Sequence, residues 1–202
     1  TESPITFTGL KNGTSYSFSI VASNTNGTSD AVITAPMTPQ AGWKRFVIDQ
    51  NSDAKHVTST TFNGKPLVAY SDSKSGILKI ATWDGKTWKR TTVDGAGGTS
   101  GRTKSAISSP ISVCVNGSGV KQTLHLFYSE GDDRDLHYAT YDGKKFTYEI
   151  VDGNGVQVND YKDPVRVRTG SDVSVSNACV ATSGGIQVFY RDESQGILLG
   201  AT

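Results

Sequence analysis

Leu67-Val68-Ala69-Tyr70-Ser71-Asp72, then Gly76-Ile77-Leu78-Lys79-Ile80-Ala81-Thr82-Trp83-Asp84-Gly85, then Trp88 to Asp94-Gly95, is the stretch that decides the fold, because the chain repeats it. A second copy runs Leu126-Phe127-Tyr128-Ser129-Glu130, then Leu136-His137-Tyr138-Ala139-Thr140-Tyr141-Asp142-Gly143, then Phe146 to Asp152-Gly153. A third runs Val188-Phe189-Tyr190-Arg191-Asp192, then Gly196-Ile197-Leu198-Leu199-Gly200-Ala201-Thr202. Tyrosine and alanine stand eleven positions apart in all three copies (Tyr70 and Ala81, Tyr128 and Ala139, Tyr190 and Ala201). Self-similarity in both identity and spacing is the mark of a repeat architecture.

Each copy reads as four strands. The first covers residues 57–62, 111–115 or 173–180. The second ends in the tyrosine and an acid, the third carries Leu-x-x-Ala, and the fourth runs from an aromatic residue to Val-Asp. Asp84-Gly85 and Asp142-Gly143 are tight-hairpin signals between the third and fourth strands. Four antiparallel strands repeated at this period are the signature of β-propeller blades. One fragment is out of phase: Trp43-Lys44-Arg45-Phe46-Val47-Ile48-Asp49 has the pattern of the fourth strand, six positions from aromatic to acid, and is expected as an outer strand. Propellers close with about four to eight blades, so three need either more of the same polypeptide or a second copy to supply the remaining strands and blades.

Upstream, Tyr16, Phe18 and Ile20 alternate with serines, as in a half-buried strand. The run Leu10-x-x-Gly13-Thr14-x-Tyr16-x-Phe18-x-Ile20-x-Ala22-x-Asn24-x-x-Gly27 resembles the last strands of a fibronectin type III domain, with Tyr16 at the family's tyrosine corner. The resemblance covers only the final third of such a domain. Pro36-Met37-Thr38-Pro39-Gln40-Ala41-Gly42 has linker chemistry. Residues 43–202 resemble a repeat of large bacterial secreted and cell-surface proteins. His125, Tyr128, Tyr138-Ala139 and Tyr141-Asp142-Gly143 carry that likeness. It implies a surface architecture and little about activity. The expected fold is therefore all-β: a partial fibronectin-III-like β-sandwich over 1–38, a linker over 39–42, and about three four-stranded β-propeller blades over 43–202. Within the last, 43–49 is the outer strand and about 55–95, 105–153 and 171–202 are blades, the last incomplete.

Composition bounds the function. A formal net charge of +1 over 202 residues leaves no electrostatic footprint for nucleic acid. No run of about 18 apolar residues offers membrane insertion, and residues 1–20 lack the basic start and apolar stretch of a signal peptide. No Walker loop, Gly-x-Ser-x-Gly, dinucleotide fingerprint or sialidase aspartate box occurs. His56, His125 and His137 have no metal-ligand spacing. No catalytic residues are assigned, and the chain is expected not to be an enzyme.

A repeat sorts its own residues. One that recurs in every blade serves the blade, and one found once is free to serve a ligand. Asp72, Glu130 and Asp192 share one position, so turn capping is favoured over a pair of hydrolytic carboxyls. Trp43, Trp83, Trp88, Tyr141 and Phe146 recur too, which favours packing over sugar stacking. Asp132, Asp133 and Asp135 occur in one blade only. They offer oxygen ligands for Ca²⁺, against the plainer reading of a solvated acidic turn; no other cofactor is implied. The long connections between blades carry the candidate ligand-binding residues: Arg102 and Lys104 in the first, Tyr161, Arg166 and Arg168 in the second. Cys114 and Cys179 look equivalent in neighbouring blades, which places them too far apart to bond and predicts two buried free thiols. The functional expectation is a non-catalytic binding or structural module of a larger extracellular or cell-surface protein, acting in adhesion, surface or fibre assembly, or carbohydrate attachment. Its partners would be carbohydrate or another surface protein. The alternative is an accessory region of a secreted glycan-active hydrolase.

Overall fold

The computed structural model describes residues 5–43, 45–97, 103–119, 121–155 and 168–202. The chain forms two compact units, Thr1–Val47 and Ile48–Thr202. No helix long and apolar enough to cross a membrane occurs among the described residues.

In the first unit, β1 (Ser19–Ile20) pairs antiparallel with β4 (Val32–Ile33), and β2 (Ser23–Asn24) with β3 (Gly27–Thr28). The Asn24 side chain accepts the Asn26 N–H at 2.8 Å and closes the turn between β2 and β3. The Tyr16 hydroxyl accepts the Lys11 N–H at 2.9 Å, tying the start of one strand back to the preceding loop. Phe7 stacks on Phe18 at 4.1 Å.

The second unit is a series of antiparallel meanders. The first sheet is β5 (Ala54–Phe62), β6 (Lys65–Asp72), β7 (Ile77–Trp83) and β8 (Trp88–Gly95). The second is β9 (Ser112–Ser118), β10 (Lys121–Ser129), β11 (Leu136–Tyr141) and β12 (Phe146–Asp152). The third is β13 (Asn177–Thr182), β14 (Gly185–Asp192) and β15 (Ile197–Ala201). The Asp-Gly turns form because an aspartate replaces the ladder with local bonds. Asp84 accepts the Lys86 and Thr87 N–H groups at 2.8 and 2.7 Å, and Asp142 those of Lys144 and Lys145 at 2.8 and 2.9 Å.

Because strand side chains alternate, each sheet has a leading face toward the sheet before it and a trailing face toward the sheet after it. Leu67, Ala69, Leu78 and Ile80 on the trailing face of the first sheet meet Leu124, Leu126, Tyr128 and Ala139 on the leading face of the second. Cys114, Phe127 and Leu136 behind the second sheet meet Val188 and Tyr190 of the third, with Val173 from the connecting segment. First strands lie beside one another in the order β5, β9, β13. The molecule is thus all-β, with antiparallel meanders of four, four and three strands stacked face to face in the second unit.

Two expectations change. Among the described residues, 43 and 45–49 form no named strand. The cysteines are not free thiols: Cys114 and Cys179 form a disulfide, with Cα atoms 6.0 Å apart. Register explains this. Cys114 lies opposite His125, three residues before Tyr128, while Cys179 lies opposite Val188, two before Tyr190. One residue of offset flips a strand side chain to the other face. Cys114 therefore points back from the second sheet and Cys179 forward from the third, and they meet in the gap.

Candidate functional site at the junction of the second and third sheets

The recurring polar residues serve the stack. The aspartate ending each fourth-strand pattern accepts the hydroxyl of the tyrosine in the next sheet: Tyr70 to Asp49 at 2.8 Å, Tyr128 to Asp94 at 2.5 Å, and Tyr190 to Asp152 at 2.8 Å. Burial pushes the Asp94 carboxyl up, opposed by the Tyr128 bond, and burial beside Asp94 pushes the Tyr128 phenol well above its ordinary range. The second-strand acids cap turns in two sheets. Asp72 accepts the Asp53 and Lys74 N–H groups at 3.0 and 3.2 Å, the Ser75 hydroxyl at 2.8 Å and Lys79 Nζ at 2.7 Å. Burial raises its pKa, but these donors outweigh that and hold the carboxyl well below the usual range. Asp192 accepts the Gln195 N–H at 3.0 Å.

The second sheet breaks this pattern within one loop. Its turn from Glu130 to Asp135 has the same length as those from Asp72 to Ile77 and from Asp192 to Ile197. Glu130 stands where the others have aspartate, and Asp135 where they have isoleucine. Arg134 stands where they have Gly76 and Gly196. All three of those last positions have positive φ, 62° for Arg134 against 69° and 71° for the glycines. A left-handed non-glycine costs roughly 1–2 kcal/mol, and strain of this kind persists at functional sites.

A second departure faces the first. The connection into the second sheet, Thr103-Lys104-Ser105-Ala106-Ile107-Ser108, has a counterpart into the third, Thr169-Gly170-Ser171-Asp172-Val173-Ser174. Both dock alike. Thr103 and Thr169 donate their N–H groups to Asp94 and Asp152 at 2.7 and 2.5 Å. Ile107 and Val173 are buried and donate theirs to the Gly76 and Arg134 carbonyls at 3.0 and 3.1 Å. At the first junction the Ala106 methyl lies so close to Gly76 that a Cβ there would come within 2.8 Å of it. At the second junction Arg134 and Asp172 occupy those two places. They are too large to pack flat, so they reach outward and pair at 3.1 Å, the arginine side chain 65% exposed. Asp172 also accepts the Ser174 N–H and hydroxyl at 3.1 and 2.7 Å.

The result is an open cleft of about 500 Å³ lined by Asp133, Arg134, Asn154, Gly155, Ser171, Asp172 and Ser194 among others. Backbone approaches closely along one wall: a Cβ at Gly155 would overlap the Arg168 carbonyl, and the Gly155 N–H donates to Thr169 at 2.8 Å. Beside the cleft, Glu130 and Asp135 are buried, and Glu130 Oε2 and Asp135 Oδ1 have no hydrogen-bond partner among the described residues. Burial, then the Asp133 carboxyl beside it and the charges of Asp135 and Asp94, raise Glu130 to about 7. Burial and the charge of Asp133, opposed by Arg168, raise Asp135 to about 6. Burial also lowers His137, whose Nε2 lies 3.8 Å from Glu130.

Of the residues singled out in the sequence, Asp133 lines the cleft, Asp132 is an exposed turn residue, and Asp135 is buried. Among the described residues no group of three His, Cys, Asp or Glu is placed to hold a metal ion. Lys104 and Arg168 are both exposed, one on each connection between sheets. Arg102, Tyr161 and Arg166 lie outside the described residues. The cleft residues Arg134, Asp172 and Ser194 were not singled out. The Thr-x-Ser-x-(Ile/Val)-Ser repeat would have found Asp172, and aligning the three turns would have found Arg134. The cleft presents a guanidinium, carboxylates, hydroxyls, a carboxamide and glycine backbone, a set that hydrogen-bonds a polar ligand. The two buried carboxyls are too enclosed to touch one.

No protein-family model matches the chain, and no curated protein matches it. Among solved structures, a mutant of the lectin of Aleuria aurantia in complex with alpha-methyl-L-fucoside is similar, with a TM-score of 0.42 and 14% identity over 86% of this chain. The match spans 48% of that lectin's chain, so this chain corresponds to about half of its length.

Proposed function

We propose that this chain is a non-catalytic recognition module of an extracellular protein, and that the cleft between its second and third sheets holds a carbohydrate-type ligand. One observation carries the reading. The charged residues that break the repeat, Arg134 and Asp172, converge on the wall of one open cleft, and they do so at the expense of backbone strain. A paired carboxylate and guanidinium ringed by hydroxyl and amide groups matches the donors and acceptors of a polyol, and no cofactor is required. The disulfide supports an oxidising compartment. The first unit supports a multi-domain surface context. Its Tyr16 hydroxyl bonded back to Lys11 is the corner arrangement of a fibronectin-like sandwich, here read as that domain's last strands.

A glycan array followed by calorimetry on the 202-residue chain tests this. A retained glycan is expected, with affinity lowered at least about tenfold in Asp172→Ala, a loss of about 1.4 kcal/mol. Arg134→Gly restores the residue used by the other two sheets. It should abolish binding while leaving stability unchanged or raised by up to about 1 kcal/mol. A chain that retains no glycan, or whose binding survives both substitutions, overturns the reading.

A further inference from the structure

The turn acid of the second sheet lacks the donors that hold its counterpart in the first. Asp72 receives the Ser75 hydroxyl at 2.8 Å and Lys79 Nζ at 2.7 Å. Counted from the turn acid, the places of Ser75 and Lys79 are taken in the second sheet by Asp133 and His137. A hydroxyl donor is replaced by a carboxylate, and a cation by an imidazole. Burial lowers the His137 pKa, and its Nε2 lies 3.8 Å from Glu130 Oε1, beyond hydrogen-bond reach. Glu130 is 3% exposed, and its Oε2 is buried without a hydrogen-bond partner among the described residues.

The charges gathered here do not balance. Asp133 lies beside the Glu130 carboxyl, and the charges of Asp135 and Asp94 reach it too. The Tyr128 phenol is committed to Asp94 at 2.5 Å. Arg168 acts on Asp135. Among the described residues lining the cleft, Arg134 is the only cation, and it is paired with Asp172 at 3.1 Å. Asp133 is thus left as an exposed carboxylate on the cleft wall, backed by Glu130. Two carboxyls side by side do not both ionise without cost. Burial first, then Asp133, raises Glu130 to about 7, so near neutrality a proton stands in for the missing cation.

We infer, building on the glycan reading of this cleft, that its ligand carries a protonated amine, as a de-N-acetylated amino sugar does, and that Asp133 receives it. The ammonium supplies from solvent the positive charge and the donors that Lys79 supplies from within the first sheet. A metal ion is disfavoured. Among the described residues no three His, Cys, Asp or Glu are grouped to hold one, whereas an ammonium needs a single exposed carboxylate. Acidic sugars are disfavoured by the same field. A uronate or sialate carboxylate would meet Asp133 with Glu130 and Asp135 close behind it. Neutral sugars satisfy the hydroxyl and amide groups of the cleft and leave its unbalanced charge as it was.

An array of matched sugars, probed with the 202-residue chain at about pH 6 so that the amines are protonated, tests the inference. Each set keeps one hexose configuration and varies one position among free amine, N-acetyl and hydroxyl, with the corresponding uronate beside them. In calorimetry on a retained set, the amine should bind at least about tenfold tighter than its N-acetyl and hydroxyl partners. In Asp133→Asn that ratio should fall toward one. Asp133 is exposed, so circular dichroism and melting of the variant should match the wild type. If no sugar of any class is retained, the glycan reading falls and the amine goes with it. If glycans are retained but a neutral or acidic member binds as tightly as the amine, the amine assignment alone is overturned and the glycan reading stands. A tenfold preference that survives Asp133→Asn also overturns it, because the selecting charge would then lie elsewhere.

Discussion

The two junctions between sheets share one backbone plan and differ in a few side chains. Both use a tyrosine–aspartate latch, a threonine N–H on that aspartate, and a buried β-branched residue bonded to the preceding turn. The first places glycine and alanine where the connection crosses the turn, and it packs shut. The second places Arg134 and Asp172 there, opens a cleft, and gathers buried carboxyls beside it. It is also the junction that carries the disulfide. The difference shows how a repeat acquires a site: the scaffold bonds are kept and the spacer residues are exchanged. A covalent bond then holds the junction that the exchange has loosened.

Breaking that bond should give the largest effect. Removing a cross-link between residues 65 apart costs about 4 kcal/mol by loop entropy. Cys114→Ser with Cys179→Ser, or reduction of the wild type, should lower the denaturation midpoint by a corresponding amount. If the third sheet is the part released, hydrogen exchange will rise in β13 to β15 and stay low in β5 to β8.

The latches come next. Tyr128→Phe leaves the buried Asp94 carboxyl without its phenolic donor and should cost about 2–3 kcal/mol in urea unfolding. Tyr190→Phe, at the junction with the open cleft, should cost less. Equal losses would mean that the cleft admits no water to the second latch.

The smallest expected effect separates the first two sheets by pH. Asp72 is held low by Lys79 and its turn, so its contribution is present above its unfolded pKa and fades as pH falls through the acid range. Glu130 and Asp135 are raised, to about 7 and about 6. The folded chain then takes up protons that the unfolded chain does not, and stability rises as pH falls from about 8 to about 5. Glu130→Gln with Asp135→Asn should flatten that rise in thermal melts between pH 8 and pH 5. Lys79→Met should lower stability throughout that range and lose its effect only as pH falls into the acid range where Asp72 takes up its proton.

Much of this fold was legible because repeats report themselves. The alternation in Leu126-Phe127-Tyr128 and the Asp-Gly turns dictate strands and hairpins locally. The cysteines were misjudged because equivalence was judged from neighbouring residues in sequence, while the facing of a strand residue is settled by the partner across the ladder. The cleft was half visible: Asp133 stood out as a residue found once. Arg134 lay unnoticed beside it, since its oddity is a backbone angle that glycine elsewhere in the repeat betrays only on alignment.

By itself the sequence determined that the chain is all-β, that its sheets repeat, and which residues belong to the repeat, because strand alternation and turn chemistry are short-range. Only the tertiary structure decided that Tyr128 reaches back to Asp94, that Cys114 meets Cys179, and that one junction opens while the other closes. Those depend on which face each side chain takes and on what stands across a gap between sheets, quantities set by register and packing over separations of 34 and 65 residues.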